Sequence, residues 1–280
     1  MLPREEYVEQ AYFFKILVER LEQQIPLQEL LLQSKYELLA STKLPMAIDL
    51  LLAELKHHGQ MSRGMAMLGH YFCPFQTFLI ESAEEDRGRF DYRTALRILQ
   101  AEANYRSSES VDPQGLFFFQ FEALSRNRLS YDKGMKAMSD DPFFSADWQN
   151  WLLVVRRQLG LVDLAELIYI RSQRYVARRQ QFASADADAP VLFGEVEGKI
   201  AHANIKKDPL FLFAAMQRHL SYPAVPRLEP IDPIPTLVPQ LQRRMERLES
   251  RIRLLEEEQK GGIDITKFYD GKLPPGIQPQ

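Results

Sequence analysis

The residues best suited to chemistry begin with Arg171, Arg174, Tyr175 and Arg178. Their steps of three and four place them on one face of a helix turning about 100° per residue. No Asp or Glu lies between Leu167 and Gln181. Guanidinium groups interleaved with an aromatic ring suit phosphate, carboxylate or single-stranded nucleic acid. The plainer alternative is that this face is solvated or paired within the fold, the commoner fate of a charged helical stripe.

Two further constellations could carry catalysis. Glu54 and His57 stand at the Glu-x-x-His step by which helical di-iron bundles bring two ligands to one metal. Such a site needs a second copy and two more glutamates, and no other Glu-x-x-His occurs, so a polar helix end is the expectation. Cys73 precedes Pro74 at a helix start, where the dipole could lower a thiol pKa, and His70 is three residues away. Flanking Phe72 and Phe75 point instead to a packed thiol. Asp186 and Asp188 alternate without the glycine and distal glutamate of a calcium loop. Gly-rich phosphate loops, nucleophile elbows and dinucleotide fingerprints are lacking. The sequence therefore assigns no catalytic residue, no metal ligand and no cofactor, and leans away from an enzyme.

The elements that must position these residues are helical. Ser145 precedes Trp148, Trp151, Leu152, Val155 and Leu159 at helical spacing, and Gly160 supplies a stop. Asp163 and Glu166 read as a capping box opening the next helix. On it Leu164, Leu167 and Ile168 share a face with the Arg/Tyr set and Phe182. A connection this short predicts an antiparallel pair. Upstream, Tyr7, Phe14, Leu17 and Leu21 mark a helix over 3–24, the leucines of 27–39 a second, and Pro45 to Gly59 a third. Asp208 and Pro209 start another, with Leu212, Ala215, Met216 and His219 on one side. The stretch from Val191 to Gly198 reads as ambiguous and fits a short extended segment.

A motif recurs inside this run. Phe90, Asp91, Tyr92, Ala95, Leu96 and Leu99 align with Leu129, Ser130, Tyr131, Gly134, Met135 and Met138 at an offset of 39 residues. Looser echoes begin at Met61 and Val162. Over residues 73–139 this resembles the tetratricopeptide-like helical-hairpin repeats, in which a tyrosine and a small residue open the second helix. The resemblance implies a concave surface for a peptide or partner protein. The offset exceeds that family's usual period of about 34, and the first helices lack its tryptophan and glycine pattern. An irregular bundle of look-alike hairpins accounts for the same residues.

Composition bounds the function. The chain has 280 residues and a net charge of −3, a poor electrostatic match for duplex DNA. Its single cysteine excludes an intramolecular disulfide and suggests a reducing compartment. No apolar run approaches the roughly 18 residues of a membrane span, and the N-terminus lacks a secretory pattern. The expected location is cytoplasmic, without membrane association.

The last stretch carries the clearest interaction signal. Val238, Leu241, Met245, Leu248, Ile252 and Leu255 alternate steps of three and four, the a and d positions of a heptad seam. Arg244 would face Glu249 of a parallel second copy, and Arg251 would face Glu256. A helix folded back on the body would share the apolar pattern, but not this pairing of charges. The expectation is an all-α chain, an irregular helical bundle or short α-hairpin array. It comprises a hairpin body over 1–182, a loop and further helical segment packed on it over 183–220, and a Pro-rich connector over 221–237. The heptad helix follows over 238–260, then a tail over 261–280 expected to be disordered. Function is expected to be that of a protein-binding scaffold, with a homodimer through the heptad helix. Anion or single-stranded nucleic-acid binding is the alternative, and a metal or thiol enzyme the least favoured.

Overall fold

The computed structural model describes residues 2–23, 25–85, 90–180 and 190–227, and beyond them Met245, Leu248 and Ile252. Two compact units divide the chain, Met1–Leu228 and Glu229–Gln280. Among the described residues the first unit is built from helices and two isolated backbone bridges, as the periodicity predicts.

The first helix, α1 (Arg4–Leu21), carries most of one side of the core. Phe13, Phe14 and Leu17 are fully buried, yet Glu6 and Glu9 are buried too. Their carboxylates accept backbone N–H groups of Lys43 (2.9 Å) and Leu39 (3.0 Å). They thereby satisfy the connection between α2 (Leu27–Lys35) and α3 (Leu44–His58). α4 (Met61–Met67) packs on α3, and α5 (Pro74–Glu84) on α4. The most extensive helix contact joins α1 to α6 (Tyr92–Arg106).

The apolar run from Leu116 lies in α7 (Pro113–Arg126), buried on every side from Gly115 to Leu124. A helix apolar all round needs neighbours all round. α7 packs on α6, on α8 (Tyr131–Ser139) and on α13 (Pro209–Leu220). Phe117 is its centre, with ring centroids at 5.0 Å from Trp151, 5.8 Å from Trp148 and 6.2 Å from Phe193. The small residue of the 39-residue motif has a steric cause at Gly134. A Cβ there would sit 2.5 Å from Leu124 Cδ2, so α7 and α8 approach at that point.

The stretch from Ala146 onward departs from expectation. α9 (Ala146–Gln158) ends before Gly160, whose φ is +89°. The next helix, α10 (Leu164–Ile170), begins at the Asp163 cap, which accepts the Ala165 N–H at 3.0 Å. However, α9 packs on α8, whereas α10 packs mainly on α12 (Glu195–Asn204). The expected tight antiparallel pair is thus corrected. Trp148 and Trp151 already face Phe117 and Phe193, which occupy the stripe that α10 would have covered. Helix α12 also takes over much of the stretch read as ambiguous; only Phe193, bridged to Ser172, is strand-like.

The start of the Pro-rich connector lies on the first unit. Tyr222 is buried and its hydroxyl donates to Glu122 Oε2 (2.8 Å), while Asn127 Nδ2 donates to the Pro226 carbonyl at 3.1 Å. No helix among the described residues is long and apolar enough to cross a membrane.

Candidate functional site

The Arg/Tyr set does not lie on one helix. α10 ends at Ile170, and α11 (Gln173–Gln180) starts after a break. The break has a backbone cause. The Arg171 carbonyl accepts N–H groups from Leu192 (2.9 Å) and Phe193 (3.2 Å), and Gln173 N–H donates to the Phe193 carbonyl. Ser172 Oγ donates to the Tyr169 carbonyl at 2.6 Å, a local bond that competes with the helical ladder. Gly198 makes room for this crossing, since a Cβ there would lie 2.4 Å from Ser172 Oγ.

Arg171 falls in the break between the two helices, and its Nη1 is buried without a hydrogen-bond partner. Arg174 and Arg178 keep their one-turn spacing on α11 and are exposed. Arg174 reaches Glu195 at 3.6 Å, but Lys199 holds the same carboxylate oxygen at 2.8 Å. Lys199 is the main reason that Glu195 titrates below the usual glutamate range, with Arg174 adding to the effect. Arg178 lies 3.4 Å from His202 Nε2, which can accept only when the ring is neutral. Tyr175 packs edge-on against Tyr169 at 5.4 Å, and Tyr169 lies 4.7 Å from the His202 ring. Phe182 lies outside the described residues.

The catalytic constellations do not assemble. Glu54 turns to Arg63 (3.4 Å) and His58 (3.8 Å), leaving His57 ring to ring with His58 at 6.4 Å. Cys73 is partly buried and His70 is exposed. The Cys73 partner is Arg106, with Nη2 3.5 Å from Sγ. Burial pushes the thiol well above its ordinary pKa, and the neighbouring Glu102 carboxylate pushes further. The lowered pKa anticipated from the helix dipole is corrected accordingly.

Cys73 instead belongs to a buried polar cluster whose members are far apart in the chain. Arg106 donates to Glu102 Oε1 (2.9 Å) and to Asp141 Oδ2, and its guanidinium lies over the Phe143 ring at 5.7 Å. Gln120 Nε2 donates to Glu102 Oε1 at 2.7 Å. Glu102, Asp141 and Gln120 are at most 1% exposed. Burial raises the Glu102 pKa, outweighing the pull of Arg106. The Cys73, Glu102 and Asp141 ligand atoms lie within 4.8 Å of one another, a spacing a metal ion could bridge. Arg106 Nη2 bonds to all three, so the protein's own guanidinium fills the cation position. One signal in the sequence points to this cluster: Glu102 and Arg106 continue the spacing of Ala95 and Leu99, which places two charges on the core stripe of α6.

A cavity of about 410 Å³ opens between α4, α5 and α8, with Phe72, Pro74 and Phe78 on its wall. Its lysines are satisfied locally, Lys133 by Glu85 (2.8 Å) and Lys136 by Asp140 (2.6 Å).

No family model, curated protein or solved structure matches this chain.

In the second unit, Met245, Leu248 and Ile252 are helical and 60%, 56% and 54% exposed. The other members of the seam and its flanks, Val238, Leu241, Leu255, Arg244, Glu249, Arg251 and Glu256, lie outside the described residues.

Proposed function

We propose that the chain is a non-catalytic protein-interaction scaffold that self-associates through its C-terminal heptad helix. The observation that carries this reading is the exposure of Met245, Leu248 and Ile252, consecutive seam positions on a helix. Large apolar side chains spaced as a row and left in water favour association. The sequence supplies a complement for them. Two parallel copies would bring Arg244 to Glu249 and Arg251 to Glu256, and an Ile at a with leucines at d favours two strands.

About three heptads make a weak coil, so association should depend on concentration. The expected result is a two-chain mass for the full chain in sedimentation equilibrium at micromolar concentration. Leu248→Glu should return it to one chain. Arg244→Glu should weaken the dimer and Arg244→Glu with Glu249→Arg should restore it. A one-chain mass for the unaltered protein throughout the concentration series would remove the self-association reading.

The enzyme alternative lacks support from either of its constellations, since Glu54 is turned from His57 and the Cys73 thiol is pushed up.

A further inference from the structure

The first unit carries a second surface, distinct in chemistry from the heptad row. On α11, Arg174 and Arg178 stand one turn apart; on the adjoining α12, Lys199 and His202 face the same seam. Glu195 is the carboxylate shared by Arg174 and Lys199. Among the described residues no carboxylate lies within ion-pair distance of Arg178, whose neighbour is an imidazole nitrogen. This stripe therefore holds more cationic groups than anionic ones, and its guanidinium groups are exposed.

The form of the surface limits what it can hold. Base stacking on single-stranded nucleic acid needs free aromatic faces. Here Tyr175 is packed on Tyr169, and Tyr169 on His202, with Tyr169 only 9% exposed. The ring that suggested a nucleic-acid site in the sequence is half-buried and held edge to face by Tyr169, so it is not a free stacking platform. What remains is a pair of planar donors on side chains one helical turn apart, whose Cβ atoms stand about 5–6 Å from each other, the same spacing as side chains one turn apart on a partner helix. Guanidinium forks match carboxylates in two-point contacts.

We propose that Arg174 and Arg178, with Lys199 beside them, form a docking surface for an acidic peptide segment bearing carboxylates one helical turn apart. The peptide carboxylates replace the imidazole contact at Arg178 and compete with Glu195 for Arg174. Lys199 keeps Glu195 neutralised when Arg174 turns to the ligand.

The test uses the full chain and three fluorescent probes: a helical peptide with glutamates at i and i+4, the same peptide with glutamines, and oligothymidylate. Anisotropy at low salt should show binding of the glutamate peptide alone, weakening as salt is raised. Arg174→Glu with Arg178→Glu should reduce that affinity by about tenfold or more, roughly the loss of two exposed ion pairs plus repulsion. Arg156→Glu, at a half-buried arginine paired with Asp132, should leave it unchanged. Circular dichroism of each variant excludes loss of fold as the cause. The proposal is overturned by equal binding of the glutamine peptide, by no binding at low salt, or by binding that survives the double reversal. Tighter binding of oligothymidylate, abolished by that reversal, would overturn it in favour of nucleic acid. None of these outcomes depends on whether the heptad helix dimerises.

Discussion

Replacing Arg106 by Met is the most direct challenge to the physical account of the first unit. Met retains an unbranched apolar stem of similar volume, so the packing loss is small and the charge loss dominates. The Arg106 side chain is 1% exposed, and those of its partners Glu102 and Asp141 are 0% and 1% exposed. Removing one member of a buried ion pair costs about 3–5 kcal/mol, because the remaining charge has no solvent to replace its partner. Two carboxylates lose their cation here, so the upper part of that range is expected. For a unit of this size, about 3–5 kcal/mol corresponds to a fall in Tm of roughly 6–20 °C.

The loss must depend on pH with a definite sign. Without Arg106, the charge that lowers the Glu102 pKa is gone and burial is left unopposed by it, so the folded value rises further, and Asp141 is left beside a second buried carboxylate. A raised folded pKa means that stability is fully present below the unfolded carboxylate pKa of about 4, and is lost as pH climbs through the folded value. Urea titrations of the unaltered chain and Arg106→Met should therefore nearly coincide in acid and diverge toward neutral pH. Combining Arg106→Met with Glu102→Gln and Asp141→Asn should recover much of the loss at neutral pH, since no buried charge remains unpaired. A neutral-pH cost under about 1 kcal/mol, or a triple variant no better than the single one, refutes the argument that charge pairing holds this cluster.

Two other perturbations test separate parts of the account. Gly134→Ala places a methyl group 2.5 and 2.7 Å from the Leu124 Cδ atoms and should cost about 1–3 kcal/mol in urea denaturation; no change in midpoint would mean that α7 and α8 are not in forced contact there. Cys73 should alkylate about tenfold or more slowly than free cysteine at pH 8, because burial and Glu102 disfavour its thiolate; a rate equal to that of free cysteine would contradict the raised pKa.

The fold was legible where its causes are local. Asp91, Ser130, Asp163 and Asp208 mark helix starts by cap chemistry that acts within one turn, and the structure places helices after each, while Pro45 stands in the first turn of α3. Where the cause is distant, the sequence misleads. The interruption at Ser172 is made by Leu192 and Phe193, some twenty residues on in the chain, so a helical wheel runs straight through it. The pairing of α10 with α12 follows from Phe193 filling the tryptophan stripe of α9, which no local pattern states. The buried cluster is the same case, since Asp141 stands 35 positions from Arg106. On a wheel, Glu102 and Arg106 fall on the core stripe with Ala95 and Leu99, but nothing local names Asp141 or Cys73 as their partners.

That comparison also decides which charges are available for recognition. An exposed ion pair contributes about 0–1 kcal/mol, so Arg174 can leave Glu195 for a ligand at little cost, with Lys199 still in place. A buried pair costs several times more to break, so Arg106 cannot serve an outside partner without unfolding its surroundings. Burial thus sorts arginines of the same formal charge into those that hold the fold and those that can be recruited. The same logic applies to the apolar side chains. Phe117 is fully buried and spends its hydrophobic surface within the body, whereas Met245, Leu248 and Ile252 retain theirs for whatever covers them. Interaction surfaces in this chain are to be sought where a side chain's chemistry is left incomplete by its own fold, and both proposals rest on residues of that kind.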